Sequence, residues 1–235
     1  MQTLVVGDIH GCWGELHALL AAAGIGPADP VIAIGDVSDR GPESPEVLEF
    51  FLSRPGATAI MGNHEWKHAR GADGLAQRIT RAQCGEALYA RAVDWMRELP
   101  FWRELPEALL VHWGLMPGVA PADQHPAVLT GDPVGEKSLR EMLGDVAWYD
   151  AYVGPKPVIY GHHSWAAGVR RDLTYGIDTG CVYGQALTGL LLPERRLVSV
   201  PARANHWEAV RREWEPRVSE GLLLAESPDD PDSEG

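Results

Sequence analysis

Aspartate, histidine and asparagine residues recur in short blocks along the 235-residue chain, each block at the end of an apolar run. The blocks read GDIHG, GDVSDRGP, GNHE, VHWG and YGHH. Carboxylate, amide and imidazole donors together suit borderline divalent ions such as manganese, iron or zinc better than calcium or a thiolate-bound metal. Asp8, Asp36 and His64 follow one another at equal intervals of 28 residues, about the length of one strand–helix–strand crossover. The blocks therefore predict a metal centre at one edge of a sheet.

The third block also begins an H-E-x-x-H pattern, residues 64–68, which on a helix places two histidines around a protease zinc ion. Gly74 stands where the extended form of that motif requires a third histidine. The apolar run ATAIMGN also predicts that His64 directly follows a strand, whereas the protease motif needs this histidine inside a helix. We therefore interpret the protease pattern as a chance match.

The elements that position the blocks can be predicted from apolar patterning. Five short apolar runs, at 3–8, 31–36, 57–63, 109–114 and 157–163, predict buried strands whose carboxyl ends carry the blocks. The run ELHALLAAAG between the first two has helical spacing and ends in a glycine, which predicts an amphipathic helix. A second helix is expected in GPESPEVLEFFLSR, helical structure over 66–105, and mainly loop over 115–145.

The C-terminal part returns to strand patterns in LTYGIDTG, ALTGLLLPE and RLVSVPA. Together these elements predict an α/β protein, a two-sheet mixed β-sandwich flanked by helices, in a single domain over 1–224. Residues 225–235 contain five acidic residues, two prolines and no basic residue, which predicts a disordered tail.

Composition restricts the function classes. Three widely spaced cysteines form neither a disulfide framework nor a C-x-x-C metal site. The formal charge of −13 disfavours stable binding to DNA or to anionic membranes. No run approaches the roughly 18 apolar residues of a membrane span, and the N-terminus has no signal-peptide pattern. We therefore expect a cytoplasmic protein.

The five blocks, in this order, resemble the calcineurin-like metallophosphoesterase superfamily, in the branch of Ser/Thr protein phosphatases and bacterial diadenosine tetraphosphatases. The segment GIDTGCVYGQALTGLLLPERRLVSVP is similar to the C-terminal part of the bacterial PrpE-like tetraphosphatases and of the phosphatase module of bacterial RNA-repair proteins. The resemblance covers roughly residues 3–200. It implies a hydrolase with a dinuclear metal centre, most simply of manganese, with iron or zinc as alternatives.

The resemblance also implies roles for individual residues. The first metal ion would be bound by Asp8, His10 and Asp36, and the second by Asp36, Asn63, His112 and His162. His64 would be the general acid that protonates the leaving oxygen, and Asp39 would orient it and favour its protonated form. Arg40 would bind the substrate phosphate with its planar fork of donors.

Two features depart from the pattern of the superfamily. Ser38 replaces a residue that is usually valine, and no arginine in 130–155 matches the second phosphate clamp of protein phosphatases. The substrate therefore stays open between dinucleoside polyphosphates and phosphoserine or phosphothreonine, with the C-terminal segment favouring nucleotides. An RNA-end phosphatase and a non-catalytic metal-binding scaffold are the alternatives. The intact His64, Asp39 and Arg40 argue against the scaffold.

Overall fold

A computed structural model of the protein describes residues 2–166 and 168–219. The predicted tail at 225–235 lies outside the described residues. The described part contains two five-stranded sheets. The strands are β1 Thr3–Val6, β2 Val31–Ala33, β3 Ala57–Ala59, β4 Trp102–Glu104, β5 Leu109–Val111, β6 Val158–Tyr160, β7 Val169–Arg170, β8 Thr174–Gly176, β9 Ala186–Leu192 and β10 Arg196–Pro201.

Helices cover the outer faces of both sheets. They are α1 Trp13–Ala23, α2 Ser44–Ser53, α3 Asn63–Ala69, α4 Leu75–Arg97, α5 Pro126–Thr130, α6 Pro133–Leu143, α7 Trp148–Ala151 and α8 His206–Ser219. Short 3-10 turns occur at Pro121–Asp123 and Cys181–Tyr183. Gly24 ends α1 in the left-handed conformation, with φ of 71°, as the sequence predicted.

The two sheets are mixed. The first has the order β10-β9-β1-β2-β3 and the second the order β4-β5-β6-β8-β7. The strands β1, β2 and β3 are parallel to one another, as are β5, β6 and β8, while the remaining pairs are antiparallel. This arrangement confirms the predicted two-sheet mixed sandwich with flanking helices.

The core around the two sheets lies in three layers because side chains alternate along each strand. In β1, Val5 points into the cluster between the sheets, where it joins Ile32, Leu110 and Ile159. Leu4 and Val6 point instead into the outer cluster beneath α1, α2 and α4. A third cluster lies between the second sheet and α5, α6 and α7. Burial on both faces explains why the strands read as continuous apolar runs.

The packing of the sheets brings their carboxyl ends together. His112 follows β5 in the second sheet, and its Nδ1 lies 2.8 Å from the carbonyl oxygen of Ile34, which follows β2 in the first. Gly35 permits this approach, because a Cβ at this position would lie 2.7 Å from His112 Nδ1 and its φ is +103°. Loops from both sheets therefore meet at one site.

Three local predictions were wrong. Residues 102–104 form strand β4 instead of helix, because they pair with β5 at the sheet edge. The segment 115–145 is more helical than predicted, since it contains α5 and α6. His64 is the second residue of α3 and lies inside a helix, so this objection to the protease motif does not hold and the motif has to be judged from its contacts.

Candidate active site

The loop after β1 places the first two predicted metal ligands. Both oxygens of Asp8 face the backbone N–H of His162, at 3.1 and 3.3 Å. The Nδ1 of His10 lies 3.0 Å from the carbonyl oxygen of Ser38, so its Nε2 is turned toward Asp36 Oδ2, 3.5 Å away. Two strand ends therefore direct their side chains at one point.

Asp36 lies at the centre of the cluster. Its Oδ2 faces His10, and its Oδ1 lies 3.5 Å from His112 Nε2. The Oδ1 atom also accepts the backbone N–H of His64 at 3.1 Å. One carboxylate thus presents one oxygen to the loop after β1 and the other to the loop after β5.

The remaining predicted ligands form a compact group beside Asp36. Asn63 Oδ1 lies 3.1 Å from His112 Nε2 and 3.2 Å from His162 Nδ1. The two imidazole nitrogens are 3.3 Å apart. Because His112 Nδ1 faces the Ile34 carbonyl, that nitrogen carries the proton and Nε2 offers a lone pair. His10, Asn63, His112 and His162 are therefore grouped around Asp36, while Asp8 contacts this group through the backbone N–H of His162.

Backbone strain is concentrated at the same residues. Within the described residues, six non-glycine positions have positive φ, and five of them are site candidates: His10, Asp36, Asp39, Arg40 and His162. L-residues adopt this region at a cost in free energy, and such residues cluster where the fold must aim a side chain. The loops at the strand ends are thus shaped around the cluster.

Electrostatics make the cluster suitable for cations. Burial lowers the pKa of His10 to about 3 and of His112 to about 4, so both imidazoles are neutral near pH 7 and can donate a lone pair. Burial opposes ionisation of Asp36, but the surrounding histidines, led by His112, lower its pKa at the acidic pH where they are protonated, so Asp36 is anionic near pH 7. Burial and the charge of Asp178 raise the pKa of Asp8. Neutral imidazoles around buried carboxylates are a donor set that fits divalent ions.

Glu65, which sequence reasoning did not assign, anchors two of the loops. Its buried carboxylate accepts the backbone N–H groups of Asp36, Val37 and Gly62 at 2.7, 3.0 and 3.1 Å. A glutamate three residues after a helix N-cap is a sequence signal for such a contact. Glu65 is thus occupied as an acceptor from backbone, a different role from the general base of a zinc protease.

Glu65→Ala is expected to lower the melting temperature sharply. The substitution leaves three buried N–H donors without their acceptor, which costs roughly 3 kcal/mol or more in unfolding free energy. Circular dichroism melting of the purified variant measures the change, with the exposed Glu46→Ala on α2 as control. Equal melting temperatures for the two variants would refute this anchoring role.

The predicted catalytic residues lie beside the cluster. His64 Nδ1 is 2.6 Å from Asp39 Oδ2, while His64 Nε2 is buried, 3.9 Å from Asp36 Oδ2, and has no hydrogen-bond partner among the described residues. Arg40 Nη1 lies 3.1 Å from His10 Nε2, and its guanidinium lies over the ring of Tyr183. The predicted general acid and the predicted phosphate-binding arginine therefore flank the candidate metal ligands.

The second histidine of H-E-x-x-H also turns to Asp39. His68 Nε2 lies 2.8 Å from Asp39 Oδ1, on the other oxygen from His64. In a zinc protease the two imidazoles would converge on a metal ion, whereas here a carboxylate lies between them. The contacts of His64 and His68 therefore exclude the protease arrangement in this structure.

Glu136 was missed because 115–145 was predicted to be mainly loop. Its Oε1 lies 2.9 Å from His162 Nε2 and 3.1 Å from His163 Nε2. Asp132 followed by Pro133 is a helix start signal, and the Asp132 side chain does accept the Val134 N–H at 3.1 Å. That signal could have located α6, although not the contact with His162.

A family model for calcineurin-like phosphoesterases matches residues 1–187. The chain belongs to this family. It is 31% identical, over 86% of its length and 95% of the relative, to the asymmetrical bis(5'-nucleosyl)-tetraphosphatase PrpE of Halalkalibacterium halodurans. It is 28% identical, over 86% of its length and 97% of the relative, to the symmetrical bis(5'-nucleosyl)-tetraphosphatase of Aromatoleum aromaticum.

The fold of this calcineurin-like phosphoesterase is also found in solved structures. A crystal structure assigned as a candidate diadenosine tetraphosphatase superposes with a TM-score of 0.71 at 27% identity, over 86% of this chain and 93% of the other. Family membership confirms the predicted superfamily and reaction class: the protein is a hydrolase of phosphate esters or anhydrides, with divalent metal ions as the cofactors of the family. No helix within the described residues is both long enough and apolar enough to span a bilayer.

Proposed function

We propose that this phosphoesterase hydrolyses dinucleoside polyphosphates at a centre of two divalent metal ions. The observation that supports it most is the position of Asp36, whose carboxylate lies within 3.9 Å of imidazole nitrogens of His10, His64 and His112. The two tetraphosphatase relatives, matched along nearly their whole length, favour a nucleotide substrate.

The two ligand sets proposed here share Asp36 and are divided between its two oxygens. Its Oδ2 side belongs to a first set of Asp8, His10 and Asp36, and its Oδ1 side to a second set of Asp36, Asn63, His112 and His162. Bound divalent ions supply a water nucleophile at neutral pH and neutralise phosphoryl charge. The protein contributes the fixed loops that hold these donors before substrate arrives.

His64 is proposed to deliver a proton to the leaving oxygen. Within residues 2–166 and 168–219 its Nε2 has no hydrogen-bond partner, while Nδ1 is held by Asp39 at 2.6 Å. Asp39 is buried and anionic, because His68 and His64 lower its pKa against the opposing effect of burial. The Asp39 carboxylate holds Nδ1 and so turns Nε2 away from itself, which leaves Nε2 as the atom that can donate to a leaving oxygen.

Arg40 is proposed to bind the phosphate. Its Nη1 lies 3.1 Å from His10 Nε2, which places the guanidinium beside the first proposed ligand set. A guanidinium offers two parallel donors to phosphate oxygens, which fixes orientation as well as charge. Arg40 would therefore align the phosphoryl group for in-line attack.

The proposal includes manganese as the resident ion, with iron or zinc as alternatives, because the donors are oxygen and imidazole nitrogen. It also includes a cytoplasmic location. The three cysteines are free, which is compatible with a reducing compartment.

The substrate class is tested on purified protein with manganese present. We expect kcat/KM for diadenosine tetraphosphate to exceed that for a phosphothreonine peptide and for 4-nitrophenyl phosphate by at least about tenfold, one RT ln 10 step of transition-state binding. Product analysis separates cleavage to AMP and ATP from cleavage to two ADP. Chromatography of the nucleotides and metal analysis of the same sample provide both measurements.

The other outcomes discriminate among the alternatives. A preference for the peptide would reassign the protein as a phosphoprotein phosphatase, and a preference for a 2′- or 3′-phosphorylated RNA oligonucleotide would reassign it to RNA ends. Metal binding without hydrolysis of any substrate would support the scaffold interpretation and contradict the proposal.

A further inference from the structure

Asp39 receives an unusual set of hydrogen bonds for one buried carboxylate. On Oδ2 it accepts from His64 Nδ1 at 2.6 Å and from the side-chain amide of Gln77. On Oδ1 it accepts from His68 Nε2 at 2.8 Å and from Thr80 Oγ1 at 2.6 Å. Each oxygen therefore has one imidazole and one neutral donor, and the carboxylate cannot rotate without breaking contacts.

His68 is itself fixed from behind. The residue is 1% exposed, and its Nδ1 lies 2.9 Å from the hydroxyl of Tyr89 on α4. His64 and His68 are four residues apart on α3, so their side chains lie on the same helix face. The chain of contacts runs from Tyr89 through His68 and Asp39 to His64.

The orientation of His64 depends on this series of contacts. Its Nε2 has no hydrogen-bond partner among the described residues, so the Nδ1 contact with Asp39 is the polar contact that sets the ring direction. A displacement of about 1 Å in a reacting group can reduce a rate by about 100-fold. Whatever holds Asp39 therefore also holds the proposed proton donor.

Charge balance supports the same role for His68. A buried carboxylate is costly unless a cation or several donors compensate it. Burial acts to lower the pKa of His68, but Asp39 outweighs it and raises the pKa. His68 is therefore available as an imidazolium whose charge offsets that of Asp39.

We propose that His68 is a positioning residue, which fixes Asp39 through Oδ1 and thereby holds His64 in the orientation for proton donation. The inference rests on the proposed acid role of His64 and extends it to a second histidine. The roles implied by the family resemblance did not include His68. The H-E-x-x-H pattern of this chain is explained by two imidazoles that contact one carboxylate.

The experiment compares two aryl phosphates that differ in their leaving group. Phenol, like the tyrosine side chain, has a pKa of about 10 and needs a proton as it leaves. The far more acidic 4-nitrophenol does not. The ratio of kcat for 4-nitrophenyl phosphate to kcat for phenyl phosphate therefore reports proton donation, independently of the natural substrate.

His68→Leu is expected to raise this ratio by at least about tenfold, a fraction of the 100-fold to 10,000-fold that general acids contribute. His68→Gln keeps an amide donor near the Nε2 position and is expected to return the ratio to within about threefold of wild type. KM and bound metal should be unchanged in both. Tyr89→Phe, which removes one hydroxyl, should shift the ratio in the same direction if His68→Leu fails to fold.

The matched control is His17→Gln, the same substitution at an exposed position of α1. Equal loss of kcat on both substrates, or loss of bound metal in His68→Leu, would make His68 merely structural and overturn the inference. His64→Asn in the same series separates failure of the His68 inference from failure of the proposed acid role of His64. If His64→Asn changes the ratio and His68→Leu does not, the inference alone fails; if neither changes it, the acid role of His64 fails as well.

Discussion

Asp36→Asn is expected to empty the metal centre and to abolish hydrolysis of every phosphate substrate. The carboxylate has His10 Nε2 3.5 Å from Oδ2 and His112 Nε2 3.5 Å from Oδ1. Asparagine keeps the shape of the side chain and an Oδ1 acceptor for the His64 N–H, which lies 3.1 Å away. It removes the negative charge at the point where the two ligand sets meet, and it replaces the second carboxylate oxygen by an NH2 group that cannot bind a metal ion.

Elemental analysis of the purified variant measures the metal per chain, and 4-nitrophenyl phosphate turnover measures activity without reference to the natural substrate. We expect kcat/KM to fall by more than about 100-fold. Loss of a residue that only supports a metal ligand costs up to about 100-fold, and loss of a ligand itself should cost more. Asp94→Asn is the control, because it makes the same isosteric change at an exposed position of α4. A fully loaded and active Asp36→Asn protein would show that Asp36 does not bridge the two sets.

The predicted metal ligands could be recognised from sequence because each follows a buried strand within four residues. The apolar runs fix the strands, and parallel strands such as β1 and β2 bring their carboxyl ends to one edge. Asp8 and Asp36 therefore had to arrive as neighbours. The local apolar pattern and the sheet topology together predict that these side chains lie at one edge of the sheet.

The position of His64 inside a helix could not be predicted from the local apolar pattern. Strand β3 ends at Ala59 and α3 begins at Asn63, so the change from strand to helix occurs within three residues. The apolar run ATAIMGN covers both sides of that change and gives no signal of it. The helix start instead depends on Glu65. Its carboxylate accepts the Gly62 N–H at 3.1 Å in a local contact and the N–H groups of Asp36 and Val37 in tertiary contacts.

The partners of His68 and Glu136 could not be predicted because they are set by tertiary packing. His68 meets Asp39 across 29 residues, and Glu136 meets His162 across 26. Neither contact follows from strand order, since both come from helices whose placement over the sheet edge depends on side-chain packing. The H-E-x-x-H motif is uninformative for the same reason: spacing places two histidines on one helix face, but the tertiary partner decides what they bind.

His64→Asn is the second substitution with a large expected effect, and its result depends on the substrate. The asparagine amide can replace Nδ1 as a donor to Asp39, which His64 contacts at 2.6 Å. The substitution removes Nε2 and its proton. We expect kcat for phenyl phosphate to fall by about 100-fold to 10,000-fold, the usual range for a lost general acid, with a much smaller fall for 4-nitrophenyl phosphate.

Metal content decides between an acid and a ligand. His64 Nε2 lies 3.9 Å from Asp36 Oδ2, and His10, Asp36 and His64 offer atoms close enough to share an ion. An acid can be removed without loss of metal, whereas a ligand cannot. If His64→Asn binds metal like wild type and loses activity only with the poor leaving group, His64 is the proton donor; if the metal is lost and both substrates fail equally, His64 belongs to the first ligand set and the leaving oxygen must be protonated from elsewhere.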